Sequence, residues 1–483
     1  MVHQRGDDHD IPQEHRLYRH GAWLPADYRI QHEWLKKQID FVDNNPKKEL
    51  IPVLQEFKHF IEGSPRIYMY FNQMWEEIPH KKPYDMDPTG SKRQVRGYRH
   101  MLAVLNHIMM QAPHWTEAGF GVGMVGVPMM GVFDYAMATP SGHAAFLDPG
   151  VNKMLKKILN EWGKFLKSPR SADVLGPQKQ GWFSKTAVTD LMEVANAPLK
   201  TSHKFEDMYI CDPTAEHYGF RSWDDFFTRQ LREGVRPVAA PEDDSVVVNA
   251  CESAVYNLAR HARLRDRFWI KHEPYSVLDM LGHDPLAAQF DGATVYQGFL
   301  SALSYHRWHA PVSGRIVRAF VRDGTYFSEP LFQGPADPSK YGRGAAPDPD
   351  PDPASQPRHK AGQDDGSEEG GGGGGGEIDK RSIAVAQGYL TALATRAVIF
   401  MQADNAAIGL LAFVGVGMDE VSTCELTVAQ GQHVAKGDQI GMFHFGGSSH
   451  CLLFRADVPV DGFPPRGRRE NVPVRGQLAV VRK

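Results

Sequence analysis

Apolar residues recur at helical spacing through the first half of the chain. Residues 51–61 and 151–162 each place large apolar side chains three and four positions apart. This spacing collects the apolar side chains on one face of an α-helix, which then packs against a core. We therefore predict a mainly helical region from residue 1 to about residue 235, and no candidate catalytic residue stands out within it.

A short aromatic segment near the middle of the chain also predicts a helix. Ser222 is suited to cap that helix at its N-terminus. Trp223, Phe226 and Phe227 would then form one aromatic face. The glycine and proline within residues 234–237 are expected to end the helix. We interpret the segment as a plug at the junction between the two halves of the chain.

From about residue 245 the pattern changes to short β-branched and aromatic runs separated by glycine-containing turns. The fold class expected is α+β. A helical N-terminal domain covers residues 1–235, and a mostly antiparallel domain, a β barrel or sandwich, covers residues 236–483. The strand-like runs are residues 245–250, 298–300, 305–314, 397–400 and 409–414.

The strand-like runs are interrupted between about residues 334 and 380. This segment contains an Asp-Pro repeat at residues 347–353 and seven consecutive glycines at residues 370–376. Such a composition cannot bury apolar surface, so we predict a disordered surface loop within the β domain. A boundary between two domains is the alternative.

Residues 428–440 contain the spacing G-x-x-V-x-x-G-D-x-I, which predicts a tight β hairpin with glycines at positive φ. Together with residues 310–314 this segment also resembles lipoyl or biotinyl carrier domains. The carrier interpretation requires a lysine at the tip of the hairpin, and none stands in a matching motif.

Composition narrows the range of functions. The chain of 483 residues has 54 basic and 58 acidic residues, so no nucleic-acid partner is expected. Residues 1–10 are polar and acidic, unlike a secretory signal or transit peptide. The uncharged run rich in Gly, Val and Met, residues 119–133, is shorter than a membrane span. Four cysteines without a CxxC pair indicate neither a zinc site nor a disulfide framework. We expect a cytoplasmic protein without stable membrane insertion.

The most informative stretch for chemistry is residues 441–450, where a run of Phe and His leads into two glycines and two serines. The pattern predicts a strand that ends in a tight turn. A Gly-Ser bond in such a turn has little bulk on its carbonyl side, so the Ser448 hydroxyl can approach the carbonyl of Gly447. A glycine-rich hairpin turn without chemistry is the alternative.

Three further elements accompany this stretch: Glu252 after a strand, His306 and His309 in a His-Arg-Trp-His segment, and the glycine-rich strand end at residues 414–418. Over roughly residues 218–483, the set resembles the phosphatidylserine decarboxylase family of pyruvoyl-dependent decarboxylases.

Three motifs carry the resemblance. Residues 226–229 and 234–237 are similar to the family's FFTR…GxRP segment. Residues 305–311 are similar to its YHRxHxP segment, which is the most specific match. Gly447 and Ser448 stand where the family cleaves itself.

Two departures from the family pattern point to one branch of it. The usual LGST is here residues 446–449, Gly-Gly-Ser-Ser, and the aspartate of the usual PADG motif is replaced by Glu252. With the large helical N-terminal half, both departures are similar to the soluble fungal branch, which includes aromatic (tryptophan) decarboxylases. The absence of a membrane-targeting element beside the motifs favours a soluble amino acid over a phospholipid.

The resemblance implies a self-processing mechanism. Ser448 attacks the carbonyl of Gly447 to form an ester, and elimination and hydrolysis leave a pyruvoyl group at position 448. Chains 1–447 and 448–483 result and remain associated. The ketone captures the substrate amine as a Schiff base and accepts electrons as CO2 leaves. No pyridoxal phosphate is expected, since no lysine stands in a convincing setting for it.

The residues support particular roles in that mechanism. A serine hydroxyl needs a base within hydrogen-bond reach, and the base needs an orienting acid. We assign His309 as the base and Glu252 as the orienting carboxylate. His309 or His306 would then return a proton to the α-carbon of the substrate.

Simpler interpretations remain open. His306 and His309 could hold a metal, but the spacing suggests no third ligand and no metal is expected. Either could be a hydrogen-bonded core histidine, a role that suits His306 better. Glu252, one methylene longer than the family's aspartate, could merely pair with a nearby base. Tyr305 and Trp308 are expected to be packing residues.

The function expected is a pyruvoyl-dependent decarboxylase that converts a free aromatic L-amino acid, L-tryptophan to tryptamine first, into its amine and CO2. A phosphatidylserine decarboxylase that makes phosphatidylethanolamine is the alternative among enzymes. A non-catalytic, carrier-like binding module is the alternative of another class. No GxSxG elbow surrounds Ser448, which disfavours an α/β-hydrolase.

Overall fold

The structure is a computed structural model that describes residues 19–20, 28–46, 49–78, 94–117, 119, 125–265, 275–329, 333–334, 387–421, 423–445, 448–466, 468 and 470–482. Within these residues, helices fill the N-terminal half and antiparallel strands dominate the C-terminal half. The predicted α+β fold class is confirmed.

Several helices of the described residues begin with proline, which lacks the N–H that has no partner in the first helical turn. The α-helices are α1 (Tyr28–Asn44), α2 (Pro52–Glu62), α3 (Pro65–Glu76), α4 (Tyr98–Ile108), α5 (Pro128–Met137), α6 (Pro140–Leu147), α7 (Pro149–Leu166), α8 (Lys185–Asn196), α9 (Phe205–Met208), α10 (Trp223–Phe227), α11 (Val277–Met280) and α12 (Gln387–Leu393). Short 3-10 helices lie at Pro169–Val174, Ala197–Leu199, Glu216–Gly219, Pro285–Phe290 and Asp419–Val421.

The strands are β1 (Arg19–His20), β2 (Val246–Val248), β3 (Ala254–Ala262), β4 (Ala293–Leu300), β5 (Arg307–His309), β6 (Gly314–Arg322), β7 (Gln333–Gly334), β8 (Arg396–Ala403), β9 (Leu410–Val416), β10 (Thr423–Leu426), β11 (His433–Val434), β12 (Gln439–His444), β13 (Ser448–Phe454), β14 (Val460–Asp461) and β15 (Gln477–Val481). They form a seven-stranded sheet in the order β11-β6-β8-β9-β13-β4-β3. Two three-stranded sheets have the orders β10-β12-β5 and β14-β15-β2, and β1 pairs with β7. Every named strand pair is antiparallel.

The seven-stranded sheet is the middle layer of the molecule. Its successive side chains alternate between two cores, because neighbouring residues of a strand point to opposite faces. Val414 and Leu453 belong to the core shared with the helical half. Phe413 and Leu452 belong to the core shared with the two smaller sheets. Each sheet of the described residues has two edge strands and does not close on itself. The β domain is therefore better described as sandwich-like than as a closed barrel.

The helical predictions are confirmed where periodicity is strong. Helix α2 buries Leu54, Phe57 and Ile61 on one face. The segment 151–162 lies within α7. The Ser222 hydroxyl accepts the Asp225 N–H, as expected for an N-cap.

Two local predictions are wrong. Helix α10 ends at Phe227, well before the glycine and proline at 234–237, because Thr228 leaves helical backbone geometry. Residues 428–440 do not form a hairpin: β11 pairs with β6, and β12 pairs with β10 and β5. Gly431 and Gly437 nevertheless have the expected positive φ, 86° and 90°.

Two predictions about domain organisation stay predictions. The loop expected between about 334 and 380 lies, beyond residue 334, outside the described residues. The boundary between residues 235 and 236 is not set by packing, because one apolar core runs from Leu35 in α1 to sheet residues such as Val414.

Candidate active site

Two connections cross from the seven-stranded sheet to a small sheet at the same corner. Strands β4 and β13 pair in the large sheet, and β5 and β12, which adjoin them in the chain, pair in the small one. The connection 301–306 and the end of β12 therefore lie at the same corner. The Phe443 N–H donates to the carbonyl of His306 (3.0 Å). This corner carries the predicted cleavage site, of which Gly447 lies outside the described residues.

Positions 448 and 449 are consecutive in β13 and therefore belong to opposite faces of the strand. The Ser449 hydroxyl oxygen accepts from Gln297 Nε2 (3.2 Å), and Gln297 Oε1 accepts from the Tyr275 hydroxyl (2.7 Å). Ser449 and Gln297 are fully buried. Ser449 thus belongs to a packed polar chain on the helical side of the sheet, which favours Ser448 over Ser449 as the reacting serine.

Phe445, just before the two glycines, has strained backbone geometry. Its φ is 80°, in the left-handed region that costs a residue with a side chain roughly 1–2 kcal/mol. The ring is buried and packs near Trp162 of α7, with the ring centroids 6.4 Å apart. A Cβ on Gly163 would lie 3.2 Å from the Phe445 ring. Helix α7 therefore holds this strained residue in place.

His309 is held in one tautomer. Its Nδ1 lies 2.8 Å from the carbonyl oxygen of Gly437, which can only accept, so Nδ1 carries the proton. Arg475 Nε approaches both that oxygen (3.0 Å) and Nδ1 (3.2 Å), and with Nδ1 protonated it donates only to the oxygen. Nε2 then keeps its lone pair and accepts from the Tyr305 hydroxyl (3.2 Å). His309 therefore presents the nitrogen of a neutral base.

The surroundings of His309 also disfavour its charged form. The residue is almost fully buried. Burial first, and then the positive charges of Arg475 and Arg307, lower the pKa of His309 to about 3, although its bond to Gly437 opposes the shift. At neutral pH the imidazole is therefore uncharged.

Glu252 is paired with an arginine. Its carboxylate accepts from Arg236 Nη2 (2.7 Å) and Nε (3.1 Å), and both side chains are buried. It also accepts from the Val474 N–H (2.8 Å). Among the described residues no hydrogen bond joins Glu252 to His309, and the group that orients His309 is the carbonyl of Gly437. This arrangement matches the alternative in which Glu252 pairs with a base, and its role in processing stays a prediction.

A small cavity connects these groups. Glu252, Arg236 and Tyr305 line it, together with Tyr209 and Ser304. Its volume of about 10 Å³ suits a single water molecule. Glu252 thus faces the side chain that donates to His309 without contacting His309 itself. Tyr305, expected only to pack, is a hydrogen-bond donor to the candidate base.

His306 lies on the other side of the same segment. It is fully buried, and its ring stacks on Phe227 of α10 with the centroids 4.0 Å apart. Phe227 stacks in turn on Trp223 at 5.0 Å. The structure therefore places His306 at the corner, in an aromatic setting.

The predicted motif residues contact one another. Arg229 Nη2 donates to the carbonyls of Leu303 (2.7 Å) and Ser304 (3.2 Å). Arg307 Nε donates to the carbonyl of Thr228 (2.8 Å). The FFTR-like segment therefore fixes the connection that leads into the two histidines. Sequence reasoning missed these roles, although the charge within an apolar motif was a usable signal.

Four other predictions concern packing, the cysteines, metal binding and the membrane. Trp308 packs between aromatic side chains, as expected, with Phe443 at 4.5 Å. All four cysteines are free, and burial raises the pKa of Cys251 and Cys451. Within the described ranges, no three His, Cys, Asp or Glu side chains are grouped to hold a metal ion. No helix among the same residues is long and apolar enough to cross a membrane.

Comparison with protein families gives matches in both halves. A family model described as phosphatidylserine decarboxylase matches residues 223–467. A second phosphatidylserine decarboxylase model matches residues 51–191.

Curated relatives support the same family. A protein named decarboxylase iboD from Amanita muscaria is 40% identical over 331 residues, which cover 68% of this chain and 84% of the relative. An L-tryptophan decarboxylase from Psilocybe cyanescens is 34% identical over 458 residues, 91% of this chain and 89% of the relative. A phosphatidylserine decarboxylase proenzyme from rice is 23% identical over 65% of this chain and 38% of the relative.

Proposed function

Because this chain belongs to the phosphatidylserine decarboxylase family, we propose that it cuts its own backbone between Gly447 and Ser448 and decarboxylates a free aromatic amino acid, L-tryptophan first. The family makes the chain a decarboxylase, that is, a carboxy-lyase. The cleavage site, the pyruvoyl group and the substrate belong to the proposal, as does a cytoplasmic location.

The main support for the self-processing step is the tautomer and the neutral charge of His309. Its Nδ1–H is fixed by the carbonyl of Gly437, and its bare Nε2 points to a hydroxyl, now that of Tyr305. In processing, Nε2 takes the proton of the Ser448 hydroxyl as that oxygen adds to the carbonyl of Gly447. At that point the Ser448 hydroxyl replaces the Tyr305 hydroxyl as the hydrogen-bond partner of Nε2.

The residues around position 448 suit a ketone derived from Ser448. The next side chains of β13, Ser449 to Phe454, are all buried, and β4 and β9 flank the strand. A ketone here would be held by the backbone of a sheet and shielded from bulk water. A pyruvoyl group supplies an electron sink for decarboxylation. His306 or His309 returns a proton to the α-carbon of the substrate.

Support for an aromatic amino acid comes from two sources. The Psilocybe cyanescens relative, named an L-tryptophan decarboxylase, matches 91% of this chain. In addition, the corner is rich in aromatic side chains, including Phe227, Tyr305 and Phe445. The alternative substrate is phosphatidylserine, after which the family is named.

A substrate panel tests the proposal. Purified protein is incubated with the common amino acids and, separately, with phosphatidylserine vesicles, and released amines are identified by mass. We expect tryptamine or another aromatic amine from the free amino acids. If phosphatidylethanolamine forms from the vesicles and no amine forms from the free amino acids, the substrate is phosphatidylserine and the proposed substrate is wrong.

Two serine variants test the nucleophile. Ser448→Ala should leave one uncleaved, inactive chain. Ser449→Ala is the matched control, and it should still be cleaved because its hydroxyl contacts Gln297 on the opposite face. Cleavage that survives Ser448→Ala would remove the assignment.

A further inference from the structure

A third histidine lies beside the processing site. His450 is two residues after Ser448 in β13, so the two positions share one face of the strand. Two residues of a strand span about 6.6–6.8 Å, so the backbone of residue 448 is close to that of His450. His450 therefore stands on the face of β13 to which position 448 also belongs, opposite the face of Ser449.

The sheet makes room for the His450 ring. The residues opposite His450 on the neighbouring strands are both glycines, Gly298 on β4 and Gly415 on β9. A Cβ on Gly298 would lie 2.8 Å from Cε1 of His450 and 2.5 Å from the Ser253 hydroxyl. A side chain at position 298 would therefore displace the ring.

The ring has unused hydrogen-bonding capacity. His450 is fully buried, and among the described residues neither of its ring nitrogens has a hydrogen-bond partner. The rings nearest to it are those of Tyr296 and Phe413, at 5.9 and 6.0 Å. Burial lowers the pKa of His450 to about 3, so the ring is neutral and keeps a lone pair. A buried polar group without a partner requires an explanation, and a reacting neighbour supplies one.

Self-processing needs two separate proton removals at residue 448. The first takes the hydroxyl proton as Oγ bonds to the Gly447 carbon, and the same base gives that proton to the nitrogen of residue 448 as the peptide C–N bond breaks. The second takes the Cα proton: the Cβ–Oγ bond breaks, a Cα–Cβ double bond forms, and Gly447 leaves as a carboxylate. A proton is then added to Cβ, and water replaces the nitrogen, which leaves as ammonia.

We propose that His450 is the base of the second step, which accepts the Cα proton of residue 448 and returns it to Cβ. The inference rests on the self-processing part of the proposed function. His309 performs the first step, so each histidine handles one proton, and His450 ends the sequence neutral, as it began. Its aromatic surroundings keep bulk water from competing for the proton.

Substitution of His450 tests this assignment without an activity assay. His450→Phe keeps a ring of similar size beside Phe413 but removes both nitrogens, and His450→Gln is the second variant should phenylalanine not fold. His100→Phe is the matched control, because His100 in α4 is also largely buried and burial lowers its pKa to about 4. Folding is checked by circular dichroism, and cleavage is followed by intact mass.

Hydroxylamine identifies the step that stops. It cuts esters, and this sequence contains no Asn-Gly pair at which it would also cut the backbone. We expect His450→Phe to slow release of the small chain by at least roughly 100-fold, as for loss of a general base. The full-length chain that accumulates should be split by hydroxylamine into 1–447 and a 448–483 chain that begins with serine. His100→Phe should process like wild type.

Two outcomes would overturn the inference alone. The first is folded His450→Phe or His450→Gln protein that forms the ketone-bearing chain as fast as wild type. The second is a folded, uncleaved variant that hydroxylamine leaves intact, which would place His450 in the first step. A wild-type chain that never cleaves would instead remove the proposed function.

Discussion

At the scale of single residues, the base and the carboxylate of the site belong to separate clusters. His309 is oriented by the Gly437 carbonyl and Arg475, whereas Glu252 is locked to Arg236. A main-chain carbonyl fixes the tautomer of a histidine as well as a carboxylate does, but it does not stabilise the charged ring as strongly. His309 is thus held neutral, as the proposed proton transfer from Ser448 requires.

A substitution at Glu252 distinguishes a structural from a catalytic role. Glu252→Gln leaves the buried Arg236 charge poorly paired, which costs about 3–5 kcal/mol. We expect a clear drop in the urea midpoint, measured in the Ser448→Ala background so that every protein is one chain. The double variant with Arg236→Met should recover part of the loss. An unchanged midpoint combined with blocked processing in the Ser448 protein would show that Glu252 acts on the chemistry.

The buried neutral histidines predict how stability depends on pH. Burial lowers the pKa of His309 and His450 to about 3, from 6.5. Between these values the unfolded chain binds more protons than the folded one, so stability falls as the pH drops from 6.5. His450→Phe removes one such group, so the free energy of unfolding, measured with urea, should depend less steeply on pH, by up to about 1.4 kcal/mol per pH unit. Both proteins are studied in the Ser448→Ala background. If the free energy of unfolding varies with pH equally with and without His450→Phe, this prediction is contradicted.

At the scale of elements, part of the site was predictable because the signals were local. The Ser222 cap and the helical faces of α2 and α7 follow from spacing. The pairing of β11 with β6 depends on residues more than a hundred positions away, which no local pattern encodes. Tyr305 was predicted to pack, because its sequence neighbours do not reveal that His309 lies within hydrogen-bond reach.

Arg229 couples helix α10 to the histidine segment. Its guanidinium is buried, reaches two carbonyls at 303 and 304, and lies 4.7 Å from the centre of the Tyr209 ring. Lysine lacks the planar fork, so Arg229→Lys should destabilise the protein by roughly 2–3 kcal/mol and slow cleavage. Arg221→Lys, at an exposed site near the same helix, is the matched control. Equal urea midpoints and cleavage rates for the two variants would contradict the coupling.

At the scale of the whole molecule, the proposed cut falls between two layers rather than between two domains. The 448–483 chain would supply β13, between β4 and β9, and β15, which pairs with β2. Sequence motifs predict the position of the cut, but only the sheet order shows which strand pairs would cross it. The helices and the sheet share one core, which no pattern in the helical half predicts.

The two chains should therefore stay together after cleavage. Both faces of β13 are buried, so separating the small chain would expose a strand from the interior of the sheet. We expect both chains to co-elute in size-exclusion chromatography in buffer and to separate only in denaturant. Loss of the 448–483 chain during native purification would contradict the association.

The intact mass of purified, active protein tests the central claim most directly. The account predicts two masses, one for residues 1–447 and one for residues 448–483 that is lighter by one ammonia than a chain beginning with serine. The small chain should also resist Edman degradation, since it has no free amino group. Active protein that consists of a single chain, with an unmodified serine at position 448, would contradict the account.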